Sequence, residues 1–176
     1  MITLRNYFQH QCWGTGMKSA FKQAVAGAAG GAIAAFAMQQ FVSLWHCTKG
    51  QKAEDGAFGL DREADVNAAQ KLWHFLFEES LSEAEALKIA RMMHYGYSVA
   101  ASAGYAVLAG KNQAVRAGFG TVYGVVLWLV GDEIGITIMR LSDPRSKSKA
   151  SHIVALAAHL VFGSVTELSR KSLLKE

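Results

Sequence analysis

The chain has 176 residues, 51% hydrophobic and 18% charged, with 17 glycines, one proline and a mean hydropathy of +0.14. That composition excludes intrinsic disorder. Beside the roughly 25% charged and 7% glycine of an average soluble domain, the chain is poor in charge and rich in a residue that weakens water-exposed helices. A single unit, 1–176, built as a membrane helix bundle is the first class to test, with a soluble bundle around an Ala-rich core as the alternative.

The net charge of +4, with a pI near 9.1, is unevenly placed. Residues 49–88 hold nine acids and five bases, so this stretch is at −4 and the rest of the chain at +8. The excess bases stand in short runs beside apolar segments: Lys18 and Lys22, Lys111 and Arg116, 140–149 and 170–175. A nucleic-acid binder gathers its bases into one stripe among stacking aromatics, and no such stripe or motif occurs, so nucleic acid is not an expected partner.

The chain opens with a polar leader containing His10, Cys12 and Trp13, then reaches Lys18 and Lys22 ahead of a first apolar segment, about 24–45. Ala35-Phe36-Ala37 has the A-x-A form of a signal-cleavage site, but the long leader before Lys18 argues against that use. Gly27 and Gly31 form GxxxG, Gln39 and Gln40 follow, and Trp45 with His46 reads as an interfacial end. Cys12 and Cys47 flank the segment. If it spans a bilayer they lie on opposite sides and cannot form a disulfide.

The polar stretch 48–87 comes next. Within it Val66, Ala69, Leu72, Trp73, Leu76 and Phe77 recur at three- and four-residue steps, which predicts an amphipathic helix on the membrane surface or capping the bundle. Ser82 with Glu85 reads as a capping box opening a helix over about 83–110, whose second span, 89–109, carries Gly96, Ala100 and Gly104 at four-residue spacing. A third span, 117–139, contains Gly120 and Gly124. A polar turn with Pro144 leads to the fourth, 152–169. Each span is near the ~20 residues that cross a bilayer core. The recurring Gly27, Gly31, Gly96, Gly104, Gly120 and Gly124 predict closely packed helix faces.

An internal repeat organises these spans. Gly27, Gly31, Gln39 and Gln40 recur 93 residues later as Gly120, Gly124, Asp132 and Glu133, while His94-x-x-Tyr97-Ser98 matches His159-x-x-Phe162-Gly163. The expected fold is therefore all-α: a polytopic bundle of four spans as two helical hairpins of the same orientation, with one amphipathic helix between spans 1 and 2. The third span, from Gly120 through Trp128 to Asp132-Glu133, and the fourth, from His152 through His159 to Gly163, resemble the YagU-like uncharacterised bacterial inner-membrane proteins over the last ~90 residues, and the first span does so loosely. The resemblance implies a small multi-pass protein of the bacterial inner membrane and supplies no activity.

Polar groups inside the spans carry whatever chemistry exists. Because the chain reverses at each span, Gln39, Gln40, His94, Asp132, Glu133 and His159 can fall at comparable depths as one polar ring. Such a ring suits a hydrogen-bonded clasp between helices, a proton or cation pathway, or a bound metal or haem with His94, Asp132, Glu133 and His159 as candidate ligands. Neighbouring helical positions point about 100° apart, so Asp132 and Glu133 cannot both aim at one centre. No GxSxG, GxxxxGK[ST], HExxH or strand-borne GxGxxG is present, and catalysis is not expected.

The leading functional expectation is a small membrane subunit or scaffold. It would pack through Gly/Ala faces in the lipid bilayer and bind a protein partner, or a second copy, through 48–87. A proton or cation channel or carrier is the rival, and metal or haem binding the third. Orientation is balanced: the basic C-terminal end and the resemblance favour a cytoplasmic N-terminus, and the 140–149 run favours the reverse.

Overall fold

A computed structural model describes the backbone of residues 4–49, 62–142 and 148–175, and the side chains of those segments from residue 19 onward. It is helical, with no strand among the described residues. The helices are α1 (Leu4–Thr48), α2 (Arg62–Phe77), α3 (Glu83–Lys111), α4 (121–138) and α5 (Lys149–Leu174). The leader thus belongs to α1, whose 45 residues extend about 67 Å at 1.5 Å per residue. Part of the acidic stretch (50–61) and the turn at Pro144 (143–147) lie outside the described residues, as does the side chain of Cys12.

Three segments are long and apolar enough to cross a membrane: Ser19–Thr48, Gln113–Ile138 and Lys149–Leu174. Helix α3, expected as a further span, is not among them, although it has 29 residues. Its first turns carry Glu83, Glu85, Lys88 and Arg91, and further along Ser98, Ser102 and glycines stand where a strongly apolar span would hold leucine. The capping box is formed. Glu85 N–H donates to the Ser82 hydroxyl at 3.4 Å and Ser82 N–H to Glu85 Oε2 at 2.9 Å. The hydroxyl and amide of Ser82 hold the Glu85 carboxyl below its ordinary value.

Two neighbouring glycines make α1 the centre of the bundle. Gly31 faces α3, where an added Cβ would lie 2.7 Å from Ser102 Cβ, and Gly27 faces Ser102 and Ala106 one turn away. Gly30 points instead at Thr166 and Ser169 of α5. Positions one residue apart differ by about 100°, so the pair lets α1 touch two helices at once. Both neighbours run antiparallel to α1. Its next turns, Ala34, Ala35, Met38 and Val42, build the apolar core with Ala158 and Phe162 of α5.

Helix α4 packs on α5 through a second small-residue seam. A Cβ on Gly124 would run into the His159 carbonyl, and Gly120 and Gly163 meet backbone to backbone. The helix starts at Thr121, later than the expected 117, because Gly118, Phe119 and Gly120 have φ of +62°, +56° and +85°. Gly120 needs its lack of side chain for both its left-handed backbone and its contact with Gly163. Gly96 and Gly104 behave otherwise: a Cβ on either would meet nothing within 4 Å. The packed face of α3 is Ser98, Ser102, Tyr105 and Ala106, roughly half a turn from the predicted stripe. Each half of the chain does form an antiparallel hairpin. The two seams differ in detail: Gly31 lies against Ser98 and Ser102, while Gly163 lies against both Gly120 and Gly124.

Helix α2 lies against the start of α3, with Ala69 buried on Ala86 and Ala90. Only its first half is covered; Leu72, Phe75, Leu76 and Phe77 are exposed, and the Trp73 ring meets Phe77 at a tilt of 41°, centroids 4.3 Å apart. Gln70 pins the turn into α3 by donating to Leu81 O at 2.6 Å and accepting from Leu81 N–H at 3.0 Å. Across the bundle, Lys71 Nζ donates to Met139 O at 2.6 Å and Asn67 to Leu141 O at 2.6 Å, satisfying carbonyls past the end of α4. Thus α2 caps this end of the bundle.

The packing argument separates glycines of identical spacing. Gly31→Ala should lower the thermal midpoint in detergent, whereas Gly104→Ala should leave it unchanged or raise it by up to about 1 kcal/mol of helix propensity. Likewise Gly124→Leu should disrupt assembly far more than Val126→Leu, since Val126 is exposed. Thermal unfolding of the four variants decides; equal midpoints within each pair would remove the seams from the account.

Candidate functional site

Helices α3 and α4 each pack on a neighbour but leave a gap between them toward the α2 end. A cavity of about 340 Å³ fills it. Met38 and Val42 of α1 and Ala158, His159 and Phe162 of α5 form its floor. Met93, His94, Tyr97 and Ser98 come from α3, Leu127, Gly131, Asp132 and Ile136 from α4, and Ala64, Asp65 and Ala68 from α2. Beyond it the bundle is packed by the Tyr105–Tyr123 stack, with centroids 4.3 Å apart, and by Phe162 against Tyr123.

The structure therefore brings together His94, Asp132 and His159 of the expected ring, and adds Tyr97 and Asp65. It does not bring in Gln39, which is half-buried, or Gln40, which is exposed; neither lines the cavity. Glu133 also lies outside the lining and hydrogen-bonds instead to His152 at 2.6 Å. This histidine was readable in the sequence only as the start of a span.

Local geometry explains how adjacent acids reach different partners. Over Leu129–Gly135 α4 widens into a π-helical turn, with glycines at 131 and 135. Such turns occur mostly as single insertions in α-helices and often at functional sites. Asp132 Oδ2 lies 3.8 Å from Nδ1 of His159, while Glu133 reaches His152, two turns away on α5. His159 Nδ1 is 2.9 Å from Ala155 O and, facing a carbonyl, must donate. The neutral ring's Nε2 is then an acceptor. His94 interacts electrostatically with His159, and Tyr97 with Asp132.

Among the described residues, no three His, Cys, Asp or Glu side chains are placed to hold a metal ion. The candidate ligands His94, Asp132, Glu133 and His159 do not share a centre because the π-turn sends Glu133 to another level of α5.

At the opposite end of the bundle is a site that the sequence reading missed. Glu167 and Arg170 are both 0% exposed. Arg170 Nε donates to Glu167 Oε2 at 2.8 Å and Nη2 to Oε1 at 3.0 Å, a two-pronged pair on one helix. Tyr105 of α3 donates to Glu167 Oε2 at 3.0 Å, and Arg170 Nη1 donates to Gln23 of α1 at 3.1 Å. Lys171 is 3.8 Å from Glu167 and lies over the Phe119 ring at 4.7 Å. Three helices and the turn before α4 thus converge on one ion pair. Its one sequence signal was Glu-x-x-Arg at helical spacing, hidden because Arg170 reads as the start of a basic flank.

Removing one member strands the other in the core. Glu167→Ala or Arg170→Ala alone should cost about 3–5 kcal/mol, and the double replacement Glu167→Leu with Arg170→Met should recover most of it. Thermal denaturation in detergent is the measurement, and losses that simply add would mean the two groups are not coupled.

Compared with protein-family models, with curated proteins and with solved structures, the chain matches none.

Proposed function

We propose that the chain is a multi-pass membrane protein whose cavity is a proton-exchanging, carrier-type site. In this reading α3 joins the three apolar segments as a fourth bilayer helix, since it lies antiparallel along α1, and α2 rests at the interface with its exposed Phe75 and Leu76 toward lipid. The resemblance of the last ~90 residues to YagU-like proteins supports a bacterial inner membrane and a cytoplasmic N-terminus.

The observation that carries the proposal is the convergence of His94, Tyr97, Asp132 and His159 on one cavity beside a π-turn. Imidazole and carboxylate exchange protons near neutral pH, and an ionisable group inside a span marks function by default. Packed aromatics beyond the cavity favour a carrier over an open pore.

A second reading, a subunit that packs against a protein partner or another copy, draws on the outward face of α3. Gly96 and Gly104 have open space there, and Ala100 between them is exposed. The two readings are compatible in one molecule.

In liposomes loaded with a pH-sensitive dye, the wild-type protein should dissipate an imposed pH gradient faster than empty liposomes do. Asp132→Asn should return the rate to that of empty liposomes without a change in thermal stability. Glu133→Gln should keep the wild-type rate, because Glu133 pairs with His152 outside the cavity. Equal rates for all three proteins would overturn the assignment.

Orientation has its own test. Cys47 is exposed at the end of α1 near α2. A membrane-impermeant maleimide applied to intact cells should label Cys47 in a Cys12→Ser variant if the N-terminus is inside. Labelling only after lysis would reverse the topology.

A further inference from the structure

We infer that the cavity between α3 and α4 binds an organic cation, a small apolar body carrying one ammonium group. The inference rests on the cavity being the functional site, as proposed above, and adds the class of ligand it takes.

Size and lining come first. At about 340 Å³ the cavity lies at the lower end of the range for small-molecule pockets, enough for a single ring or a chain of similar bulk. Its walls are mainly aliphatic, with the polarizable sulfurs of Met38 and Met93 and the rings of Tyr97 and Phe162. A free inorganic cation is a poor occupant of such a lining. Its hydration shell would need several oxygen ligands, and no such ligand group exists among the described residues.

Charge decides the sign of the ligand. Among the described residues, the lining contains two carboxylates, Asp65 on α2 and Asp132 on α4, and no Lys or Arg. The Nδ1 proton of His159 is committed to Ala155 O, so the neutral ring presents its other nitrogen as an acceptor. An anion here would face two carboxylates at low dielectric, whereas an ammonium would gain a carboxylate, an imidazole acceptor and the electron-rich face of Tyr97. Burial of a charge needs such pairing to be tolerated.

Cation and proton then compete for Asp132. Among the described residues, the cavity places His159 of α5, His94 and Tyr97 of α3, and Asp65 of α2 around it, with Met38 and Val42 from α1, while Glu133 is engaged with His152. Protonating Asp132 removes the countercharge that the ammonium needs, and protonating either histidine adds a like charge. Both effects weaken cation binding as pH falls, which couples release of the cation to uptake of a proton.

The test uses three probes of one shape on the full-length protein in phosphatidylcholine nanodiscs: 2-phenylethylammonium, neutral 2-phenylethanol and anionic 3-phenylpropionate. Saturable thermal stabilisation gives the affinities. The ammonium should bind about tenfold or more tightly than either of the others, and Asp132→Asn should lose about that factor for the ammonium alone. Glu133→Gln should change nothing, and the preference should shrink as the pH is lowered. Should Asp132→Asn fail to fold, the ranking of the three probes on wild-type protein still decides. No preference for the ammonium, or a preference for the acid, overturns the inference. That result with proton flux intact would refute only the ligand class, whereas absent flux with no probe bound would remove the site itself.

Discussion

Backbone-to-backbone contact at α1 is the constraint on which the other features depend. Gly30 and Gly31, one residue and about 100° apart, let a single helix lie directly against both α5 and α3. For the membrane location proposed above, there is little hydrophobic drive to hold apolar helices together in lipid, so close packing of small residues has to supply the attraction. With α3 and α5 both drawn onto α1, and α4 seated on α5 by Gly120, Gly124 and Gly163, four helices are fixed but α3 and α4 are not drawn together along their length. They meet at Tyr105 and Tyr123 and part toward α2, and the cavity is the space left by that divergence.

The buried ion pair has a different part in the same arrangement. Van der Waals contact between smooth Gly/Ala surfaces holds helices close but resists sliding weakly. Glu167 and Arg170 take hydrogen bonds to fixed points on α3, at Tyr105, and on α1, at Gln23. A slip of one turn, about 5.4 Å, would break both. Replacing such a pair by apolar groups is often neutral or stabilising, so its value here lies in setting the register of three helices. It sits at the end opposite the cavity, beside the seams, where Gly30 meets Thr166 and Ser169 and Gly120 meets Gly163 and Glu167, and leaves the other end free to be shaped by α2.

Much of the architecture was legible in the sequence because it is written in local terms. The capping box at Ser82 and Glu85, the helix from 83 to about 110 and the amphipathic helix ahead of it follow from spacing alone. Which glycine faces a partner does not. Gly27, Gly31, Gly96 and Gly104 share one spacing, yet only the first two meet another helix, because the choice of face depends on neighbours far away in the chain. The candidate site divides the same way. His94, Asp132 and His159 are within reach of a depth argument. That Glu133 leaves the centre follows from the 100° between neighbouring positions, but its partner His152 was not legible, because the π-turn at 129–135 redirects the side chains around it. Glu167 and Arg170 were invisible for a related reason: a charge that reads as a flank becomes core only when three helices close over it.

The carboxylates of the bundle meet different partners. Glu167 accepts three hydrogen bonds, two from Arg170 and one from Tyr105, and Glu133 has His152 at 2.6 Å. Both are clasps. Asp132 stands 3.8 Å from His159, beyond hydrogen-bond length, and the proton on the facing nitrogen is given to a carbonyl of its own helix. Gly124 and Gly163 seat α4 on α5 at this level. Under the proposal above, an ionisable group placed in a span at a cost marks the working part of the site. The π-turn supports the same view, since it lets adjacent acids divide the tasks, Glu133 fastening α4 to α5 while Asp132 faces the cavity.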